Sequence, residues 1–93
     1  KKMNKKELAS LLSKLKSFNE SKLELEQYQT ECNIASSIIW QAYMSNEIEN
    51  KKIADLGCGN GVFGIGALIL GAKEVIFLDF RQIVKKHLYT AFI

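Results

Sequence analysis

The sequence predicts an α/β fold in which a helical N-terminal portion leads into a strand–turn–helix–strand unit. Two short apolar runs, "KIADL" (52–56) and "EVIFL" (74–78), have the length and composition of strands. Between them, five of the six glycines crowd into residues 57–66, within the turn and the apolar, helix-length stretch "VFGIGALIL". Upstream, Leu8, Leu11, Leu12, Leu15 and Phe18 recur at helical spacing and make one apolar stripe. These observations divide the chain into a helical extension over residues 1–50 and the first βαβ portion of a sheet over residues 51–93.

Taken in order, "NKKELASLLSKLKSF" (4–18) reads as a helix with Asn4 as its cap and Glu7 three residues later, the spacing of a capping box. The polar, aperiodic "NESKLELEQYQTECN" (19–33) reads as connection. A second helix is expected from Asn33 through "IASSIIWQAYMS", burying Ile34, Ala35, Ile38, Ile39 and Ala42, with Trp40 and Tyr43 as core aromatics beside them. Residues 52–56 form a buried strand, and Gly71 ends the helix that follows because it takes positive φ freely. The strands of such a unit lie parallel with a right-handed crossover. "RQIVKKHLYTAF" (81–92) resembles the start of another helix, which would put His87, the one histidine, on a helix face in a structural or surface role.

The 93 residues make one small domain at most, and 47% apolar with 25% charged residues is an ordinary globular balance. No apolar run approaches the length of a membrane span, and the lysine-rich start has no apolar core of a secretory signal behind it. Cys32 and Cys58 form no CxxC pair, so a reducing, cytoplasmic compartment is expected, with Cys58 a small turn residue and not a nucleophile. The net charge of +3 is unevenly spread: seven lysines and two glutamates in residues 1–22, then five glutamates and no base in residues 23–50. A basic arm of this kind fits contact with RNA phosphates, and it equally fits a solvated amphipathic helix.

The chemistry concentrates in "IADLGCGNGVFGIGA" (53–67). Glycines allow turns that other residues cannot make and let a ligand reach the main chain. Gly57, Gly59 and Gly61 belong to the turn; Gly64 and Gly66, inside the helix, are expected to serve close packing. Two ligand classes fit. "GNGVFG" satisfies GxGxxG, with Asp79 twenty residues beyond Gly59, where a nicotinamide dinucleotide site places its ribose-binding acid. Asp55 argues for the other class. A carboxylate at the end of the first strand repels a pyrophosphate but attracts S-adenosylmethionine, which carries an ammonium and a sulfonium and no phosphate. Asp79 would accept from ribose hydroxyls under either reading, and Asp55 could also simply cap the following turn.

"LEQYQT" (25–30) followed by "ADLGCGNGVFGIGALILGAKEVIFLD" (54–79) resembles the N-terminal half of a family of archaeal and eukaryotic RNA methyltransferases, which includes the enzymes that methylate N6 of an adenosine in ribosomal RNA. The resemblance implies a Rossmann-like, S-adenosylmethionine-dependent methyltransferase fold, of which this chain holds the N-terminal part. It further implies that Gln27 and Thr30 reach back over the methionine end of the cofactor. Gly57 would meet the cofactor through its main chain, Asn60 and Val62 would make later contacts in the turn, and Asp55 and Asp79 would be the first-motif acid and the ribose acid. Some members work with a small zinc-binding activator protein, so such a partner is implied, and no metal ligand is expected in the chain itself. Arg81 stands where the family commonly has a second acid, and Glu31 where a proline often follows the threonine. The family's catalytic Asn-Pro-Pro-Phe element orients the target amine. This sequence has no proline, so no catalytic residue is assigned within it. Two strands cannot complete a doubly wound sheet, so the residues are expected to be a fragment or to assemble with another copy. A nicotinamide-dependent oxidoreductase fragment and a non-catalytic cofactor-binding or assembly module stand as the alternatives.

Overall fold

A computed structural model describes residues 3–15, 21–57 and 61–79, and the backbone of 86–90. The elements run α1 (Lys5–Ser13), α2 (Lys22–Met44), β1 (Lys52–Leu56), α3 (Val62–Ile69), β2 (Glu74–Leu78) and β3 (Lys86–Thr90). The expected α/β order is therefore present, with β1 and β2 parallel and paired from Lys52↔Glu74 to Leu56↔Leu78.

Local sequence explains the helix starts. Asn4 Oδ1 accepts from the Glu7 N–H at 2.8 Å while Glu7 Oε1 accepts from the Asn4 N–H at 3.0 Å, closing the expected capping box. At α2, Ser21 Oγ accepts from the Glu24 N–H at 3.1 Å and donates to the Glu24 carboxylate at 2.9 Å. This Ser-x-x-Glu pair starts the helix at Lys22, so most of the stretch read as connection is helical and Asn33 lies mid-helix.

The early start also turns the buried face. α2 buries Tyr28, Cys32, Ala35, Ser36 and Ile39, whereas Ile34 and Ile38 are half exposed. Trp40 and Tyr43 are partly buried against the core, their rings 5.1 Å apart. In α1, Leu8 and Leu12 are fully buried while Leu11 and Leu15 face outward; Phe18 lies outside the described residues. The Tyr28 hydroxyl donates to the Leu12 carbonyl at 2.9 Å and ties the two helices together.

α3 lies on one face of the sheet, and α1 and α2 pack against it. Val75 and Phe77 of β2 point into this core with Val62 and Ala67 of α3 and Leu70, its C-cap. Gly71, at φ +97°, ends α3 as expected, and its carbonyl accepts from the Asn50 N–H at 2.8 Å. β1 is less buried than predicted: Ile53 and Asp55 are half-buried, while Ala54 and Leu56 are exposed. Strand order β1-β2-β3 leaves β1 at an edge, with helices on one face only among the described residues.

The segment after Asp79 departs from expectation. Residues 86–90 form a strand antiparallel to β2, pairing His87 with Phe77, in place of the anticipated helix. "HLYT" suits a strand, and β2 offers an otherwise unpaired outer edge to it. Residues 80–85 and 91–93 lie outside the described residues. No helix among the described residues is long and apolar enough to cross a membrane.

Candidate functional site

The carboxyl ends of β1 and β2 lie side by side. Leu56 pairs with Leu78, so the next residue on each strand, Gly57 and Asp79, flank one another at the sheet edge from which the glycine turn departs. This is the end at which open parallel sheets bind ligands. Gly57 has φ +69°, and a Cβ built there meets no described residue within 4 Å. Its backbone is strained for other residues and open to approach. Gly61, at φ +81°, closes the turn as the N-cap of α3. Val62 is buried behind it. Cys58, Gly59 and Asn60 fall outside the described residues.

Asp55 occupies the most telling position. Its Oδ2 accepts from the Gly64 N–H at 3.0 Å, across the turn. Gly64 is the third residue of α3, so the carboxylate satisfies one of the orphan donors at that helix start. The capping role anticipated as an alternative is therefore present. Burial pushes the Asp55 carboxyl above the usual carboxylate range, and the Gly64 N–H partly offsets it by favouring the charged form.

Of the two packing glycines, the structure supports one. A Cβ on Gly64 would overlap the Phe77 ring and come within 2.9 Å of Val75 Cγ1, so this glycine lets α3 sit directly on β2. A Cβ on Gly66 would meet Leu12 Cδ1 at 3.6 Å, an ordinary contact, and close packing does not require a glycine there.

A cavity of about 210 Å³ opens beside the turn, lined by Ile39 of α2, Ile53, Ala54 and Asp55 of β1, and Phe63 and Gly64 of α3. It is apolar apart from one carboxylate and smaller than the ~300–1,000 Å³ common for whole small-molecule sites. Asp55, Gly57, Val62 and Asp79 are thus gathered at one end of the sheet. Gln27 and Thr30 are not. They lie on the exposed face of α2 with Leu23, Ile34 and Ile38, a face turned away from Ile39 and the cavity. Thr30 Oγ1 donates to the Glu26 carbonyl at 3.0 Å. At a helical rise of ~1.5 Å per residue, Thr30 lies roughly 13 Å along α2 from Ile39.

The sequence reading missed Tyr28 and Phe77. Tyr28 precedes Cys32, Ala35 and Ile39 at helical spacing, a signal for the buried stripe once Ser21 is recognised as the cap. Phe77 offered none, because only the strand register places its ring beneath the turn.

The site's resemblance to known proteins is specific. The family model of Ribosomal protein L11 methyltransferase (PrmA) matches residues 36–86. The rRNA N(6)-adenosine-methyltransferase METTL5 of Danio rerio is 45% identical over 81 residues, 86% of this chain and 39% of that protein. A Ribosomal protein L11 methyltransferase of Synechococcus elongatus is 56% identical over 32 residues, 34% of this chain and 11% of that protein. A crystal structure from Pyrococcus horikoshii, described as a "putative RNA methyltransferase", is 56% identical with a TM-score of 0.64, covering 83% of this chain and 38% of that one. The chain spans less than two fifths of the length of each of these relatives.

Proposed function

Because this chain belongs to the methyltransferase family whose model spans residues 36–86, we propose that it forms the N-terminal, cofactor-binding part of an S-adenosylmethionine-dependent enzyme that methylates N6 of an adenosine in ribosomal RNA. One observation carries the choice of cofactor. The helix start that would receive a pyrophosphate in a dinucleotide site already has an N–H engaged by the Asp55 carboxylate. The negative charge and the occupied donor both disfavour a phosphate there and leave a sulfonium cofactor acceptable. Gly57 and Val62 would approach the cofactor from the turn, with Asn60 between them in sequence. Asp79, beside Gly57 at the end of β2, is the acceptor for the ribose hydroxyls. Gln27 and Thr30 join this set by family resemblance, from a helix face that does not border the cavity.

RNA is favoured over a protein substrate by how far the likeness extends. The RNA methyltransferase of Danio rerio matches over 81 of the 93 residues, a length that takes in α2 as well as the turn, whereas the Ribosomal protein L11 methyltransferase matches over 32 residues. Residues 1–50 and 51–93 divide in role and not in core: the first supplies the helical extension with the basic arm and Gln27/Thr30, the second the turn. A small zinc-binding activator protein and the reducing, cytoplasmic compartment complete this reading; Cys32 is a buried free thiol, which suits the latter.

Calorimetric titration with S-adenosylmethionine and with NAD tests the cofactor. Tighter binding of S-adenosylmethionine is expected, and tighter binding of NAD overturns the reading in favour of an oxidoreductase fragment. The alternative reading is a cofactor-binding module without catalysis of its own. Methyl transfer to ribosomal RNA separates the two, since the module yields no methylated product.

A further inference from the structure

We propose that Asp55 is a positioning residue: it clasps the first turn of α3 from the neighbouring strand and so ties together the two ends of the glycine turn, at Gly57 and Gly61, serving the cofactor through the backbone and not by touching it. The inference rests on the S-adenosylmethionine reading for the identity of the ligand, but the clasp itself is a property of the fold.

The three helix starts provide the argument. In α1 and α2 the N-cap side chain, Asn4 or Ser21, accepts from the N–H three residues later, at Glu7 or Glu24. In α3 the N-cap is Gly61, which has no side chain to offer, and its φ of +81° suits few other residues. The corresponding donor is the Gly64 N–H, and it is met by Asp55 from β1 at 3.0 Å. The cap that the turn geometry removes from position 61 is supplied from position 55.

A second contact sets the distance. Asp55 and Phe77 are register partners on adjacent strands. The Phe77 ring lies under both glycines of this helix start: a Cβ on Gly61 would come within 3.3 Å of Phe77 Cε1, and one on Gly64 would overlap the ring. Missing side chains at 61 and 64 let α3 settle onto the ring, and that descent brings the Gly64 N–H to Asp55. Residues 55 and 64 then close the loop containing Gly57, Gly59 and Gly61. Glycines lose the most conformational freedom on ordering, so a turn built from them gains the most from being held before a ligand arrives. A carboxylate oxygen committed to this bond acts through the turn it holds.

Two substitutions separate geometry from charge. Asp55→Asn keeps an oxygen at the same reach and removes the charge; Asp55→Glu keeps the charge and moves the oxygen by one methylene. Calorimetry with S-adenosylmethionine and hydrogen exchange at the Gly64 amide are measured on the 93-residue chain and both variants. The clasp predicts that the Asn variant binds the cofactor about tenfold or more tighter than the Glu variant, the size of one well-placed hydrogen bond, and that the Gly64 amide exchanges faster in the Glu variant alone. The reverse affinity order, with Glu binding tighter than Asn, overturns the proposal and assigns Asp55 a direct electrostatic role. Should the parent bind NAD and not S-adenosylmethionine, the cofactor reading fails while the exchange comparison still decides the clasp: faster exchange in Glu alone upholds it, and equal exchange in all three proteins sinks it.

Discussion

Gly64, Gly66 and Tyr28 show how much a single residue's surroundings decide. Gly64→Ala places a methyl group into Phe77 and Val75, and is expected to destabilise the chain by about 1–3 kcal/mol, the usual range for overpacking. Gly66→Ala meets only ordinary contacts and removes glycine's helix penalty, so urea denaturation should show a gain of about 0.5–1 kcal/mol. The sequence presents these glycines alike, as small residues two positions apart in one helix. Tyr28 carries a pH signature. Burial first, then the neighbouring Cys32 thiol, raise its hydroxyl to about 12 from the usual 10.0. The native state therefore favours the protonated phenol: its contribution is fully present below pH 10 and is lost as the pH climbs through 12. Tyr28→Phe is expected to cost about 1 kcal/mol at neutral pH through the lost bond to Leu12. Its unfolding free energy should then fall less steeply than the parent's above pH 10.

Asp55 titrates with the opposite consequence at neutral pH. Its folded carboxyl is raised above the usual 3.8, chiefly by burial. The raised group stabilises the fold when protonated, below its unfolded pKa, and that contribution is lost as pH rises through the folded value. Asp55→Asn carries no such charge. Thermal midpoints measured from pH 3 to 7 should therefore shift in favour of the Asn variant, relative to the parent, as pH rises through the carboxylate range. A difference that stays flat with pH would mean that burial does not penalise the ionised group.

At the scale of elements, capping chemistry outweighed hydrophobic pattern. The Leu stripe and the Asn4–Glu7 pair located α1, and the alternation of apolar runs with glycines located β1, α3 and β2 to within a residue or two. α2 was legible only from Ile34 onward because its N-terminal half is polar and its apolar residues fall on two faces. The Ser21–Glu24 capping pair was the available signal. Ser21→Ala should lower the stability of the chain by about 1 kcal/mol and shorten α2 at its start, visible as reduced helical circular dichroism. Residues 86–90 failed for another reason: a run of five residues, Lys-His-Leu-Tyr-Thr, is too short for periodicity to separate helix from strand, and its pairing with β2 depends on the strand edge alongside.

On the whole-molecule scale the sheet is covered on one face among the described residues. Ala54 and Leu56 project from the other face, Leu56 with 65% of its surface exposed, and β1 is an edge strand among the described residues. Leu56→Ser is therefore expected to change the stability of this chain by no more than about 0.5 kcal/mol, a surface value. A loss of several kcal/mol on denaturation would mean that a second copy covers that face in solution.

What the sequence determined by itself was whatever is local: which segments are apolar, where glycines permit positive φ, which side chains can cap their own helix, and the family likeness carried by residues 25–30 and 54–79. What the tertiary structure alone decided was every relation between segments. The parallel register set Phe77 beneath Gly61 and Gly64; the descent of α3 onto that ring brought a helix donor to Asp55; and the packing of α1 on α2 selected which face of each was buried. Capping and backbone freedom act over three or four residues and are written in order along the chain, whereas register and burial depend on atoms that folding alone brings together.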